Sequence, residues 1–318
     1  MKKTYILLMA AVALILGACH HPTHYKEDMP EGEDSGKYPT PNGQGFLGND
    51  LAWEDIADIK SEITHLKYTV TGANGVREEK EFSTPEEASL WIIPLPVGEY
   101  DVLVAANMNE ANGFELSETA PNKDALTLPA TYTRLTNASS NPVQAWNGIA
   151  HVVVEDDLMA TVSLDLDRLM ALFTLKIANV PAGTVIDVSM RNAADYVTLT
   201  RERSEAGHWG VPSEEISEDI TLGRLDENNA ATAINEFKVF PTATGLDKTI
   251  LMFHIKTNHD LELDYVGEAP IMENGKRYIL EMDYEKLSPF MYITSVAIND
   301  WTDGWSFAGE VLNPENNE

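Results

Sequence analysis

The chain has 318 residues, 43% of them hydrophobic and 23% charged, a composition typical of a globular protein whose length favours two domains. It carries 22 lysines and arginines against 51 aspartates and glutamates, a formal net charge of −29, which repels a phosphate backbone and excludes nucleic-acid binding. The single cysteine excludes a disulfide framework and a multi-cysteine metal cluster.

The N-terminus has the features of a lipoprotein signal peptide over residues 1–18. Two lysines precede residues 5–16, an uncharged run that is about 18 Å long as a helix and too short for a bilayer core of about 30 Å. The run ends in Leu16-Gly17-Ala18-Cys19, which resembles the lipobox of bacterial lipoproteins. The resemblance implies signal peptidase II cleavage between Ala18 and Cys19, followed by acylation of Cys19 with fatty acids such as palmitate. The alternative is a plain signal peptide with an incidental cysteine.

Residues 19–50 are predicted to form a flexible tether to the lipid. Four prolines, four glycines and almost no aliphatic side chains precede Phe46, so little apolar burial is available to offset the entropy of ordering. The acidic stretch at 26–34 resembles the export signal of surface-exposed Bacteroidetes lipoproteins, which implies exposure at the cell surface. Three histidines in this segment have no fixed geometry, so we expect no metal site there.

Strand signals dominate from Leu66 onward. The run at 66–71 alternates and is followed by a turn that contains Asn-Gly. In the run at 99–106, alternation places Tyr100 and Val102 on one side and Asp101 and Leu103 on the other, which predicts a strand buried on both faces at one end only. Further strands are predicted at 88–95, 152–155, 160–166, 171–178, 185–190, 196–200, 237–240, 249–256, 261–266, 277–283 and 291–298.

Strands at this spacing, with few helical segments, predict an all-β protein built of β-sandwiches. We place an N-terminal sandwich at 51–157, which includes the polar, turn-rich residues 107–147 as loops and edge strands, and a C-terminal sandwich at 158–318. Short helices are predicted at 51–61, at 84–88 with Pro85 at the first helical position, and at 165–170.

Recognisable catalytic motifs are absent from the sequence, so we expect no enzyme, no cofactor, no metal and no catalytic residue. The carboxylate sets Asp165/Asp167 and Asp260/Glu262/Asp264 have the alternate spacing of a calcium site or a glycosidase pair, but we expect them to form a solvated acidic strand face instead. Beyond the tether, histidines occur singly at positions 65, 151, 208, 254 and 259.

Two tryptophans lie in glycine-containing turns, Trp209 and Trp305. Such rings suit stacking on sugars, and they also serve as loop anchors in β-sandwiches. A surface glycan-binding lipoprotein of a polysaccharide-uptake system therefore stays open as an alternative function.

Four segments resemble Bacteroidetes fimbrial lipoproteins of the fimbrillin superfamily, which build type V pili. They are residues 94–107, a strand, a Pro/Gly turn and a second strand that ends at Asn107; residues 146–148 with the Leu-x-Arg-x-x-Ala of 166–171; residues 274–280; and residues 298–301, which end in Asp-Trp. The resemblance implies two tandem transthyretin-like β-sandwiches in a lipid-anchored pilus subunit of the outer membrane. It also implies fimbrial subunits as partners, a host or bacterial surface ligand, and a role in cell adhesion.

The resemblance further implies assembly by strand exchange, in which a protease trims a subunit and a neighbour's strand fills the groove. Stalk subunits of the family are cut at an arginine, but residues 19–76 contain none; Arg77 is the first and Arg134 the next. We therefore expect an anchor or accessory subunit that keeps its lipid. Cleavage after Lys26 or Lys37 is the alternative.

The C-terminal segment carries the last expectations. Residues 291–298 are apolar on both sides by alternation, which predicts one central, doubly buried strand. Beyond it, Trp305, Phe307 and Val311 mark a short amphipathic stretch, which we expect to be either a strand-exchange segment or an ordinary closing edge strand.

Overall fold

The computed structural model describes residues 43–49, 60–72, 75–118, 131–162, 165–199, 209–226, 233–293, 297–300 and 311–312. These residues are organised almost entirely as β-strands, joined by a single-turn α-helix, α1 (Pro85–Ser89), and three short 3₁₀ turns. The predicted all-β sandwich fold is confirmed. The strands are β1 (Gln44–Asn49), β2 (Leu66–Gly72), β3 (Arg77–Phe82), β4 (Ile92–Pro96), β5 (Gly98–Ala106), β6 (Phe114–Glu118), β7 (Thr131–Leu135), β8 (Trp146–Val154), β9 (Met159–Val162), β10 (Asp167–Arg168), β11 (Ala171–Ala178), β12 (Val185–Arg191), β13 (Tyr196–Leu199), β14 (Val211–Pro212), β15 (Ile220–Asp226), β16 (Ala233–Val239), β17 (Thr249–Lys256), β18 (Glu262–Ala269), β19 (Lys276–Asp283), β20 (Phe290–Ile293), β21 (Ala297–Asp300) and β22 (Val311–Leu312).

The first sandwich is formed by two sheets. Sheet 1 has the order β4–β1–β9, and sheet 2 has the order β10–β8–β5–β2–β3. Alternating apolar residues of both sheets meet in one buried cluster, which supplies the main stabilisation because each large apolar side chain contributes about 1.5–3 kcal/mol. This first core contains Leu47, Leu66, Tyr68, Val70, Leu95, Tyr100, Val102, Val104, Trp146 and Val162.

The second sandwich packs sheet 4, with the order β16–β11–β19–β21, against sheet 5, with the order β15–β12–β17–β18–β20–β22. Strand β17 shows how the sequence produces this arrangement, since its residues alternate between buried and more exposed positions along its whole length. The second core contains Phe173, Leu175, Ile177, Ile186, Val188, Met190, Leu251, Phe253, Ile255, Tyr278 and Leu280.

Strand β5 follows its predicted pattern. Tyr100 and Val102 enter the first core, whereas Leu103 and Ala105 on the opposite face enter a third buried cluster with Phe114. Asp101, near the start of the strand, is only half-buried. The strand is thus buried on both faces at its C-terminal end, as the alternation predicts.

Sheet 3, with the order β14–β13–β7–β6, combines strands that are far apart in the sequence. Residues 107–147 were expected to serve only the first sandwich, but β7 from this stretch pairs antiparallel with β13 at Tyr196–Leu199. The pairing buries the third cluster between the two halves of the chain, a long-range gain that local patterns do not encode. The boundary near residue 157 stays a prediction, although β9 and β10, which follow it in the sequence, join the sheets of the first sandwich.

The predicted helix at 84–88 is confirmed as α1. The Thr84 side chain accepts a hydrogen bond from the Glu87 amide at 3.2 Å, and Pro85 occupies the first turn. The helix predicted at 165–170 is wrong, because Asp167 and Arg168 form β10 instead, and pairing with β8 outweighs weak local propensity. The helix predicted at 51–61 lies mostly outside the described residues.

Two further expectations are corrected at the ends of the chain. The tether predicted over 19–50 ends earlier, because residues 44–49 form β1 and are held by strands on both sides. The single strand predicted at 291–298 is divided between β20, which joins sheet 5, and β21, which joins sheet 4. Apolar residues on both sides suit a strand of either sheet, so the sequence pattern does not distinguish one central strand from two strands in different sheets.

Candidate assembly site

Strand β1 lies in the middle of sheet 1, antiparallel to β4 and parallel to β9. The Phe46 amide donates to the Leu158 carbonyl at 2.9 Å, and the Asp157 amide donates to the Gln44 carbonyl at 3.0 Å. The Val97 amide donates to the carbonyl of the preceding Gly43 at 2.8 Å. The first strand of the described chain is therefore bonded on both edges rather than added to the outside of the sheet.

Glycines allow β1 to enter this position. A Cβ on Gly45 would lie 2.1 Å from the Glu155 carbonyl oxygen, and one on Gly48 would lie 2.9 Å from Met159 Sδ. Between them, Leu47 is 2% exposed and packs into the first core. Because small and large residues alternate along β1, the strand packs closely between β4 and β9. The sequence signal was Gly45-Phe46-Leu47-Gly48, which the tether prediction overlooked.

The two arginines nearest to the N-terminus lie in strands of the folded region. Arg77 begins β3, and its Nη2 lies 2.6 Å from Glu118 Oε1 of β6. Arg134 lies in β7, with its Nη2 2.8 Å from Asp195 Oδ2. Cleavage at Arg77 would remove both β1 and β2, and β2 contributes Leu66 and two further buried apolar residues to the first core. Ala18 and Cys19, the predicted cleavage and lipidation residues, lie outside the described residues.

The C-terminal end of the described chain is at a sheet edge. Strand β22 pairs antiparallel with β20, with Val311 opposite Ile293 and Leu312 opposite Tyr292. This pairing places β22 at the outer edge of sheet 5. Of the predicted strand-exchange residues, Val311 is therefore an edge-strand residue, whereas Trp305 and Phe307 lie outside the described residues.

Asn107, the last residue of one of the segments on which the resemblance rests, connects three parts of the chain. Its backbone is left-handed, with φ 60°, and its side chain is 1% exposed. Oδ1 accepts from the Thr64 amide at 2.8 Å and from the His65 amide at 3.2 Å. Nδ2 donates to the carbonyls of Glu62 at 2.9 Å and Gln144 at 3.0 Å. Asparagine suits this position because it tolerates the left-handed region and carries both a donor and an acceptor.

Two more of these segments meet where β10 pairs with β8. The Arg168 guanidinium carbon lies 5.4 Å from the centre of the Trp146 ring, the distance of a cation–π contact. Gly148 leaves room for the crossing chain, since a Cβ there would lie 2.4 Å from a backbone oxygen. These residues hold β10 against β8, and their role is structural packing.

Two members of the predicted carboxylate set at 260–264 are paired with basic side chains of the neighbouring strand β17. Asp264 Oδ1 lies 2.7 Å from His254 Nδ1, and Asp260 Oδ1 lies 3.4 Å from Lys256 Nζ. The hydrogen bond to Asp264 raises the pKa of His254 above its ordinary value. With Glu262 exposed, the set is a solvated strand face.

The other predicted polar candidates are also dispersed. His65 Nε2 lies 3.5 Å from Glu81 Oε2, and His151 Nδ1 lies 3.1 Å from Asp101 Oδ1. His259 is exposed in a turn, and His208 lies outside the described residues. Within the described ranges, no three histidine, cysteine or acidic side chains group as metal ligands would.

Trp209 is half-buried, and its backbone amide donates to Asp167 Oδ2 at 2.8 Å. This contact uses one carboxylate of the predicted Asp165/Asp167 pair to anchor a loop. Within the described part of the chain, no helix combines the length and the apolar character that a membrane crossing requires.

Comparisons with solved structures return distant matches. One is "a putative adhesin" from Bacteroides thetaiotaomicron, with 11% identity over 83% of this chain and 98% of that chain and a TM-score of 0.48. Another is the tip fimbrial protein Mfa3 from Porphyromonas gingivalis, with 12% identity over 81% of this chain and 100% of that chain and a TM-score of 0.39. A comparison with curated protein sequences finds no match.

The family comparison is decisive. The model described as "Fimbrillin-A associated anchor proteins Mfa1 and Mfa2" matches residues 64–303, well over half of the chain. The match begins just before β2 and ends just after β21, so it covers both sandwiches except β1 and β22, and it confirms the resemblance seen in the sequence. The chain therefore belongs to the family of fimbrillin-A associated anchor proteins Mfa1 and Mfa2, which supports a fimbrial role.

Proposed function

We propose that this chain is a lipid-anchored fimbrial subunit of the outer membrane, an anchor or accessory subunit that keeps its N-terminal strand. The observation that carries the proposal is the position of β1. Leu47 is in the first core, and Gly45 fits against the Glu155 carbonyl, so loss of β1 would open a groove between β4 and β9. Such a groove is what a donor strand fills in β-augmentation.

The positions of the arginines in the sequence favour retention of β1. The family's stalk subunits are expected to lose their lipid at an arginine, and this chain has none between Cys19 and Arg77. Cleavage at Arg77 would also remove β2, which lies between β3 and β5 and is bonded to both. A subunit cut there would lose an interior strand of sheet 2, which a single donor strand does not replace.

The C-terminal edge is the site from which this chain is expected to join a neighbour. Among the described strands, the short β22 pairs only with β20, and its other edge is the one proposed to pair with another chain. Main-chain hydrogen bonds along that edge would supply affinity, and alternate side chains would set the register. Residues 305–311 are the proposed strand-exchange segment.

The test is metabolic labelling with palmitate and mass spectrometry of the chain recovered from assembled fimbriae. The expected result is a labelled chain whose first residue is Cys19, and a Cys19→Ala variant that takes up no label and leaves the membrane fraction. An assembled chain that begins after Lys26, Lys37 or Arg77 would contradict retention of the anchor. A truncation after Gly304 tests the C-terminal edge separately, since it should leave a folded monomer with weaker association to partner subunits.

The glycan-binding alternative gains no specific support from the described residues. A stacking platform needs an aromatic face that is open to solvent, and Trp209 is half-buried. A pull-down on insoluble polysaccharides with the Trp209→Ala and Trp305→Ala variants would revive the alternative if wild-type binding were lost in either.

A further inference from the structure

The outer face of sheet 1 is uncharged. Eight positions point away from the first core on β4, β1 and β9, and none of them is ionisable, although the whole chain carries a net charge of −29. An antiparallel sheet that is exposed on one face normally carries polar or charged residues there. The eight positions are Ile92, Pro94, Pro96, Gln44, Phe46, Gly48, Met159 and Thr161.

The apolar members of this face are contiguous. In the strand register, Phe46 lies opposite Pro94 on one side and opposite Met159 on the other. Phe46 is 42% exposed, Ile92 53% and Met159 54%. At roughly 200 Å² for each large apolar side chain, these three alone expose about 300 Å², a patch size that is often functional in monomeric proteins. We call Phe46, Ile92, Pro94 and Met159 the sheet 1 patch.

The outer faces of the other large sheets show the usual solution for exposed strands. On sheet 5, Arg224 Nε donates a hydrogen bond to Asp187 Oδ1 at 2.7 Å. On sheet 4, Lys176 Nζ lies 2.6 Å from Glu281 Oε1. These cross-strand ion pairs keep an exposed face soluble. The sheet 1 patch therefore differs from its own neighbours in the same molecule, and general composition does not explain it.

One end of the patch is acidic. The turn that precedes β9 consists of Glu155, Asp156 and Asp157, all exposed, and the Asp157 amide is bonded to the Gln44 carbonyl of β1. A second copy of this chain would bring two such turns together, and an anionic lipid surface would meet the same carboxylates, so like charges oppose both occupants. Charge complementarity instead favours a surface with lysine or arginine around an apolar centre.

We propose that the sheet 1 patch is a docking surface for another fimbrial subunit, whose contact surface is apolar at its centre and basic at its rim. The inference rests on the proposed function, since it takes the partner to be a fimbrial subunit. It concerns the outward-facing side chains of β4, β1 and β9, whereas the β1 groove and the β22 edge offer main-chain hydrogen bonds. The patch therefore permits lateral contact by a subunit while β1 stays in place.

The test places the photo-crosslinking residue p-benzoylphenylalanine at position 92, or in a second variant at 159, in the full chain within cells that assemble fimbriae. The matched control places it at Leu261, which is 56% exposed in the turn between β17 and β18. Thermal melting confirms that each variant folds. The expected result is several-fold more adduct at 92 and 159 than at 261, with the crosslinked peptide from another fimbrial subunit and flanked by lysine or arginine. A Glu155→Lys change should reduce the adduct, and Glu155→Gln should reduce it less.

Equal yields at the patch and control positions would overturn the proposal, as would an adduct with a second copy of the chain or with lipid. Recovery of the chain with fimbriae provides an independent readout. If the chain is recovered with fimbriae but gives no excess adduct at 92 and 159, the docking surface is wrong and the fimbrial function stands. If it is recovered without any fimbrial subunit, the proposed function fails as well.

Discussion

Replacement of Asn107 by alanine should destabilise the fold where its side chain joins residues 62–65 to Gln144, and it should leave the sheet 1 patch and the β22 edge unchanged. The change removes four hydrogen bonds to backbone groups, made by a side chain that is 1% exposed. At about 0.5–1.5 kcal/mol for each bond, with a further cost of about 1 kcal/mol for a left-handed alanine, we expect a loss of about 3–7 kcal/mol. This corresponds to a fall in melting temperature of about 6–28 °C.

The controls separate the hydrogen bonds from the backbone strain. Asn141 is also left-handed, with φ 50°, but it is exposed, and its Oδ1 accepts from one amide, that of Lys238 at 2.9 Å. Asn141→Ala should therefore cost only about 1–2 kcal/mol. Asn107→Gly removes the strain and leaves the cost of the lost bonds. Urea unfolding provides the measurement, and an Asn107→Ala loss no larger than that of Asn141→Ala would refute the reasoning.

Three further changes test other parts of the structure. Gly45→Ala should loosen β1 by about 1–3 kcal/mol, because its Cβ meets a carbonyl oxygen at 2.1 Å, and hydrogen exchange should show faster exchange in β1 than in the second sandwich. The hydrogen bond to Asp264 raises the pKa of His254 in the folded protein, so this pairing stabilises the fold at pH values below the unfolded pKa near 6.5. The stabilisation is lost as pH rises through the folded pKa. The difference in melting temperature between wild type and His254→Ala should therefore be larger at pH 5 than at pH 9. Arg168→Lys should destabilise more than Arg168→Met, because a lysine head does not stack on Trp146 as a guanidinium does and stays half-buried as a charge; equal melting temperatures of wild type and Arg168→Lys would argue against this stacking.

The sequence by itself determined the features that depend on neighbouring residues. Alternation in β5 predicted which residues enter which core, because successive side chains of a strand point to opposite faces whatever the strand pairs with. Thr84 and Pro85 marked the start of α1, because capping is satisfied within one turn. The segments that resemble fimbrial lipoproteins indicated the family, and these include Asn107, whose bonds the fold explains.

Only the tertiary structure decided which strands pair. Residues 44–49, with one apolar pair between glycines, become β1 because β4 and β9, some 50 and 115 residues later, bond to both edges. Strand β13 pairs with β7 across the predicted domain boundary, and β20 and β21 join different sheets despite one continuous apolar pattern. Alternation states that a residue is buried, but it does not state against which sheet. That choice depends on burial and hydrogen bonding between segments far apart in the chain, which is why the uncharged face of sheet 1 became visible only in the folded molecule.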